Sequence, residues 1–165
     1  MKKLTKMMLT KWHYFEHKII DFDDINFLTG KNSSGKSTLI DAMQVVLLGE
    51  TDGTSFNKAA DIKANRSFTS YIIGELGDDV NGGEKSLRGG KEFTTQLVCE
   101  FKDTMNDEYF CIGILVDSYS DMANAKRVFF RLRDRLDESD YIYNNQPRNI
   151  NQFKSWCREK YGKDD

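Results

Sequence analysis

The sequence lacks long apolar runs and has no excess of charge of one sign. No run reaches the roughly 18 apolar residues that a membrane helix needs, so a membrane-spanning chain is excluded. The formal net charge is −2, so no overall basic field indicates a nucleic-acid-binding protein, although local DNA contacts stay open. Internal repeats and low-complexity tracts are also missing.

Metal-binding and disulfide patterns are missing as well. The three cysteines, Cys99, Cys111 and Cys157, are odd in number and lack metal-ligand spacing. His13 and His17 have no cysteine or carboxylate partner at ligand spacing. The start of the chain has lysines but no small-residue cleavage site, so no signal peptide is predicted. We therefore expect reduced thiols in a cytoplasmic protein with no association with membranes.

The chain has 165 residues, 39% of them apolar, which is enough for one modest core, so one domain is predicted. Residues 3–12 and 17–22 have β-compatible patterns, and residues 25–29 are predicted as a third strand in a hairpin with the second. In residues 36–48 the apolar positions Leu39, Ile40, Met43, Val46 and Leu47 recur at spacings of three and four. They predict a helix with one buried face that ends at Gly49.

The remainder of the chain predicts mainly β structure. Three segments rich in β-branched and aromatic residues, 93–101, 108–117 and 125–133, predict an antiparallel meander. A hairpin-like piece at 140–147 precedes a predicted helix. The expected parts of the single domain are residues 1–50 (strands, glycine-rich loop and helix), 51–90 (loops with a short helix or strand), 91–145 (the meander) and 149–160 (the C-terminal helix).

The segment GKNSSGKS, Gly30 to Ser37, fits the pattern G-x-x-x-x-G-K-[ST] between a predicted strand and a predicted helix. Gly30 and Gly35 allow the tight turn that aims backbone N–H groups at a phosphate. Lys36 is expected to reach the β- and γ-phosphate oxygens, and the Ser37 hydroxyl to bind Mg²⁺. The predicted ATP contacts are Gly30, Lys31, Asn32, Ser33, Ser34, Gly35, Lys36, Ser37 and Thr38.

Residues 4–49 resemble the N-terminal head segment of the SMC- and SbcC-type ABC ATPases. Trp12 departs from that family's usual phenylalanine at the first turn. Residues 56–79 and 111–121 are similar to the MukB-like, JetC-type ATPases of the Wadjet plasmid-defence system. The positions that match the SMC and SbcC pattern are Asn32, Ser34, Asp41, Ala42 and Gly49.

This resemblance implies an α/β P-loop NTPase fold, namely the N-terminal half of an ABC/SMC-type ATPase head with an antiparallel β-rich lobe. In such a protein, ATP and Mg²⁺ are sandwiched against a second head, and the C-terminal half of the same head is needed for hydrolysis. The implied roles are DNA repair, chromosome maintenance or plasmid defence. The implied partners are DNA, bound through the complete complex, and a possible nuclease subunit.

Two segments imitate the hydrolytic motifs that the family places in its C-terminal half. Asp117 ends an apolar segment like a Walker B aspartate, but Ser118 follows where a general-base glutamate is required. We interpret this segment as an ordinary meander strand. Residues 81–85, NGGEK, are similar in letters to the signature motif, but no helical pattern follows, so a glycine loop is predicted.

Other residues have two readings that the sequence leaves open. Arg66 is a possible arginine that reaches towards nucleotide or DNA, or a solvated loop residue. Lys58 and Lys63 join it in a basic patch that is a candidate for phosphate contacts. Gln146 is a possible Q-loop glutamine that senses Mg²⁺ and the attacking water, or a turn residue before Pro147.

The first aromatic turn is also open to two readings. Trp12, Tyr14 and Phe15 either approach the adenine or pack in the core, and core packing is favoured.

Two alternative functions remain on the sequence alone. A self-contained small P-loop kinase or NTPase would need strands that alternate with helices, which the meander disfavours. The other alternative is a non-enzymatic binding or dimerisation module that keeps the loop for structure.

Overall fold

The computed structural model describes residues 1–32, 34–53, 56, 67–78, 84–120 and 122–162. The strands are β1 (Lys2–Trp12), β2 (Phe15–Asp21), β3 (Glu75–Asp78), β4 (Glu84–Ser86), β5 (Phe93–Asp103), β6 (Glu108–Ser118), β7 (Lys126–Leu132), β8 (Ile142–Tyr143) and β9 (Gln146–Pro147). The helices are α1 (Lys36–Leu48), α2 (Phe68–Ile73), α3 (Glu138–Tyr141) and α4 (Ile150–Tyr161).

Five strands form one antiparallel sheet in the order β2-β1-β5-β6-β7. Strand β1 pairs with β2 on one side and with the distant β5 on the other. The predicted meander is confirmed as β5, β6 and β7. It does not form a separate β-rich lobe, because β1 joins it to the N-terminal hairpin in a single sheet.

Both faces of this sheet are covered by helices. Met8 and its cross-strand partner Val98 face a core formed with α3 and α4, which contribute Tyr141 and Phe153. The neighbouring pair Leu9 and Leu97 faces the opposite core, formed with α1 and α2. Burial on both faces explains why residues 7–9 of β1 and 97–99 of β5 are consecutive apolar residues instead of alternating with polar ones. The sheet thus forms the middle of three layers.

Helix α1 has the predicted bounds and ends at Gly49, whose N–H donates to the carbonyl of Val45. Its buried face differs from the prediction. Ile40 and Leu47 were expected in the core but are 37% and 50% exposed. The buried positions are Thr38, Leu39, Asp41, Ala42, Val45 and Val46. The helix therefore has apolar residues on two faces, only one of which packs against the sheet.

The predicted third strand at residues 25–29 is wrong, because residues 22–30 form no strand. Asn26 closes a turn after β2 by accepting from the N–H of Asp23 and donating to its carbonyl, which directs the chain away from the sheet. Ile25 and Phe27 are 75% and 84% exposed. A strand needs a neighbour for its backbone N–H and C=O groups, and the described residues provide none here.

The C-terminal part agrees with the sequence. The hairpin β8–β9 turns at Asn144 and Asn145, which both have positive φ. Asn149 caps α4 by accepting from the N–H of Gln152. Among the described residues, no helix is long and apolar enough to cross a membrane.

We predict that Trp12→Phe lowers the free energy of unfolding by about 1–3 kcal/mol, because it removes the buried indole hydrogen bond to the Thr38 carbonyl (2.9 Å). Urea denaturation monitored by circular dichroism measures the change. Tyr143→Phe is the control, since Tyr143 is 57% exposed and keeps its ring. Equal stability of the two variants would contradict the role given to Trp12.

Candidate phosphate-binding site

The loop from Gly30 to Ser37 leads into the N-terminus of α1 in a conformation that requires glycine at two positions. Gly30 has φ 151° and Gly35 has φ 95°. A Cβ atom at Gly30 would lie 2.5 Å from Ser34 Oγ, and one at Gly35 would lie 2.5 Å from the Tyr14 hydroxyl oxygen. Both backbone angles therefore favour glycine, as the P-loop pattern predicts, and a side chain at either position would also have to displace Ser34 or Tyr14.

The Lys36 ammonium lies over this loop. Its Nζ donates to the carbonyls of Gly30 (2.7 Å) and Lys31 (2.9 Å) and lies 3.4 Å from Ser34 Oγ. No carboxylate of the described residues pairs with it. These two carbonyls hold the Lys36 ammonium over the loop. A bound anion would take the place of the carbonyls as the hydrogen-bond partner of the ammonium.

The first turn of α1 contains no acidic residue. Its unpaired backbone N–H groups and the helix dipole therefore add to the positive charge of Lys36 instead of being neutralised. Ser37, in this first turn, is half-buried. Such an arrangement fits a polyphosphate, since a phosphate binds where N–H groups and a lysine converge.

Two side chains fix α1 to the rest of the fold. Trp12 is fully buried, donates to the Thr38 carbonyl and stacks on Tyr71 at a centroid distance of 4.7 Å. The Tyr71 hydroxyl in turn donates to the buried Asp41 carboxylate. Trp12 is thus a core residue, as the sequence favoured, and the first turn of α1 is held from two sides.

Tyr14 and Phe15 form the wall beside the loop. Their ring centroids lie 5.0 Å apart, and both rings approach Gly35. Tyr14 is 39% exposed. Of the three aromatic residues considered for adenine, these two lie next to the loop, and Tyr14 has a free ring surface.

Arg88 holds the turn that carries these aromatic rings, a role that the sequence did not indicate. Its guanidinium donates to the carbonyls of His13 and Ile72 and pairs with Glu16 at 2.6 Å. Burial lowers the pKa of Arg88. Hydrogen bonding to Lys11 and the nearby charges of Lys11 and Arg88 lower the pKa of Glu16. In the sequence Arg88 is a single arginine after β4, and no motif around it indicates these contacts.

The structure separates Gln146 from the loop. It is exposed in the β8–β9 hairpin and lines a cavity of about 470 Å³ that also includes Asp117 and Asn149. None of the described residues of the loop lines that cavity. The Q-loop role of Gln146 therefore stays a prediction without support from proximity.

Asp117 lies one residue before the end of β6, which is a strand of the predicted meander. Its carboxylate accepts from the Thr94 hydroxyl (2.8 Å) and from the N–H of Ile150 at the start of α4 (3.2 Å). These bonds give it a structural role in joining the sheet to α4. Several predicted residues lie outside the described residues: Ser33, Lys58, Lys63, Arg66 and 81–83 of the NGGEK segment.

Residues 4–63 match a family model described as the P-loop containing region of AAA domain. The matched range includes β1, β2, the loop and α1, and it supports a P-loop ATPase type of site at Gly30–Ser37. Comparison with curated proteins gives no match.

We predict that Gly35→Ala is more destabilising than Gly90→Ala. Both glycines have positive φ, which costs an alanine about 1–2 kcal/mol. Only Gly35 is also crowded, whereas a Cβ at Gly90 has no atom within 4 Å. Gly35→Ala should therefore lose roughly 1–3 kcal/mol more of the free energy of unfolding than Gly90→Ala. Thermal unfolding of the two variants measures this difference. Equal losses would mean that the Tyr14 contact does not restrict the loop.

Proposed function

We propose that this chain binds ATP and Mg²⁺ through residues 30–38 as the N-terminal half of an ATPase head. The observation that carries the proposal is the Lys36 ammonium, held over the loop by the carbonyls of Gly30 and Lys31 at an α1 N-terminus without acidic residues. A metabolite with one carboxylate would not need so extended a set of donors. A triphosphate, whose oxygens span several donors, fits it.

Each residue type has a distinct role in this proposal. The N–H groups of residues 31–36 bind the β-phosphate, and Lys36 transfers its hydrogen bonds from the loop carbonyls to β- and γ-phosphate oxygens. The Ser37 hydroxyl is an oxygen ligand for Mg²⁺, which prefers to share its octahedral shell between one or two protein oxygens, phosphate and water. Tyr14 offers its exposed ring to the adenine.

A second polypeptide segment completes the site. Ile25, Phe27 and Leu48 are 75%, 84% and 56% exposed, and they lie on the segment before the loop and on the outer face of α1. Beside them runs a groove of about 550 Å³ with a mixed lining, whose polar side includes Lys3, Asp23 and Asp24 and whose apolar side consists of Leu4, Phe22, Leu28, Ile40, Met43 and Leu47. We propose that the C-terminal half of the head covers this surface and supplies a strand next to residues 25–30.

The resemblance to SMC, SbcC and JetC-type ATPases extends the proposal. A second head closes on the bound ATP, and the complete complex acts on DNA in repair, chromosome maintenance or plasmid defence, with a nuclease subunit as a possible partner. We propose that a further polypeptide segment supplies the residues that activate water, since Asp117, the carboxylate at the Walker B-like position, is bonded to α4. Alone, the chain binds ATP and hydrolyses it poorly.

The architecture argues against the small-kinase alternative. Such a kinase alternates parallel strands with helices, and its acceptor site lies at the carboxyl ends of those strands. In the described residues the main sheet is antiparallel, and β5, β6 and β7 follow one another without an intervening α-helix. The described residues therefore lack the parallel strands at whose carboxyl ends an acceptor pocket of that type lies.

We predict that Lys36→Ala weakens Mg-ATP binding by about tenfold to a hundredfold, since hydrogen bonds to charged groups contribute about 1.5–3 kcal/mol. Isothermal titration calorimetry measures the affinity. Lys18→Ala is the matched control, because Lys18 is an exposed cation of β2 outside the loop. Unchanged binding by Lys36→Ala would favour a module that keeps the loop only for structure.

We predict that Phe27→Asp prevents assembly with the complementing half, while Met105→Asp does not. Both side chains are highly exposed, at 84% and 88%, so neither change should unfold the isolated chain. Phe27 belongs to the proposed contact surface, whereas Met105 lies in the turn between β5 and β6. ATP turnover after co-expression with a polypeptide that carries the proposed C-terminal half of the head is the readout. Equal turnover by both variants would contradict the surface.

A further inference from the structure

A groove separates strand β7 from helix α4 on the side of the sheet away from α1. Its volume is about 690 Å³. We call it the β7–α4 groove and define it by its apolar lining, which consists of Val128, Phe130, Leu132, Phe153, Cys157 and Tyr161. Phe153 is buried, and the outward parts of the others are open to solvent. The floor therefore offers apolar surface between two parallel walls.

The rim of the groove is positively charged. Four cations line it: Arg131, Arg133, Lys154 and Arg158. The Arg131 guanidinium lies 5.0 Å from the Phe110 ring centroid, on the face of β7 away from Phe130, so the charge at the rim itself comes from the other three. No acidic residue of the described part of the chain lines the groove, and none forms an ion pair with these four. The nearby Asp134 is already paired with Lys160 at 2.9 Å. In a chain of net charge −2, this is a local concentration of unpaired positive charge.

Strand β7 is also an edge strand. It pairs with β6, and no described strand pairs with its other side. Half of its backbone N–H and C=O groups therefore point outward beside the groove. Phe129, on this edge, is 45% exposed. An open edge next to an apolar, cationic groove is a surface on which an extended peptide can add as a strand.

The cations of β7 and of the groove rim indicate which class of molecule can bind at this surface. Pairing of β7 with β7 of a second copy would bring Lys126, Arg127 and Arg131 against like charges, so self-association at this edge is disfavoured. A nucleic acid would use the cations but neither the backbone groups nor the apolar floor. We propose that the β7 edge and the β7–α4 groove bind an extended acidic polypeptide segment by strand addition, with alternate apolar side chains in the groove.

A designed peptide tests this proposal on the full chain. The probe is a fluorescent peptide of alternating valine and glutamate, long enough to span β7, and fluorescence anisotropy measures its binding. Three comparison probes are the same peptide with a central proline, the same peptide with lysine for glutamate, and a single-stranded oligonucleotide of equal charge. Proline removes a ladder hydrogen bond, so it reports strand addition.

We expect the valine–glutamate peptide to bind more tightly than all three comparison probes. The double variant Arg131→Glu, Arg133→Glu should weaken it by about tenfold or more, because the glutamates alternate with the valines and therefore face the side of β7 away from the groove, where these two arginines line a second cavity. Lys18→Glu, which reverses an exposed charge on β2, should leave it unchanged. Hydrogen exchange should show new protection of β7 amides in the peptide complex. Lys36→Ala should bind the peptide normally, which separates this site from the phosphate site.

Several results would overturn the proposal: no binding of the peptide, equal binding of the proline peptide, or equal loss in Lys18→Glu. Tighter binding of the oligonucleotide would assign the cations to nucleic acid instead. Circular dichroism of each variant confirms that a lost signal does not arise from unfolding.

Discussion

Strand β1 is the constraint on which the remaining structure depends, because it is hydrogen-bonded on both sides and buried on both faces. Its pairing with β2 forms the turn that carries Tyr14 and Phe15, and its pairing with β5 joins that turn to the meander. At its end, Trp12 donates to the Thr38 carbonyl in α1. The loop between β2 and α1 is thus fixed by a strand that contains none of the phosphate ligands.

At the candidate phosphate site, a loop that is held in place by β1 lies next to an exposed apolar surface. Lys36 and the two glycines are positioned from within the chain, whereas Phe27 and Leu48 beside them remain open to solvent. Burying such side chains contributes roughly 1.5–3 kcal/mol each, so their exposure favours association with a further segment. We propose that phosphate binding and assembly use this one surface together.

Local patterns predicted much of this fold because local physics determines it. The bounds of α1 follow from its spacing and Gly49, and the meander follows from its turns and β-branched residues. Predictions that needed a distant neighbour were less successful. Residues 25–29 have the letters of a strand but no pairing partner, and the contacts of Arg88 with the first turn depend on chain folding over a long separation. The candidate phosphate loop was recognisable because its pattern depends on neighbouring residues, above all the glycines that set its backbone conformation.

The central proposal is that this chain binds ATP and that a further polypeptide segment supplies the residues that activate water. The most direct test measures, in one sample of the isolated chain, equilibrium binding of Mg-ATP and the release of phosphate over time. The account predicts stoichiometric, Mg²⁺-dependent binding with phosphate release close to the uncatalysed rate. Steady multiple turnover by the isolated chain would contradict the account and indicate a self-contained enzyme.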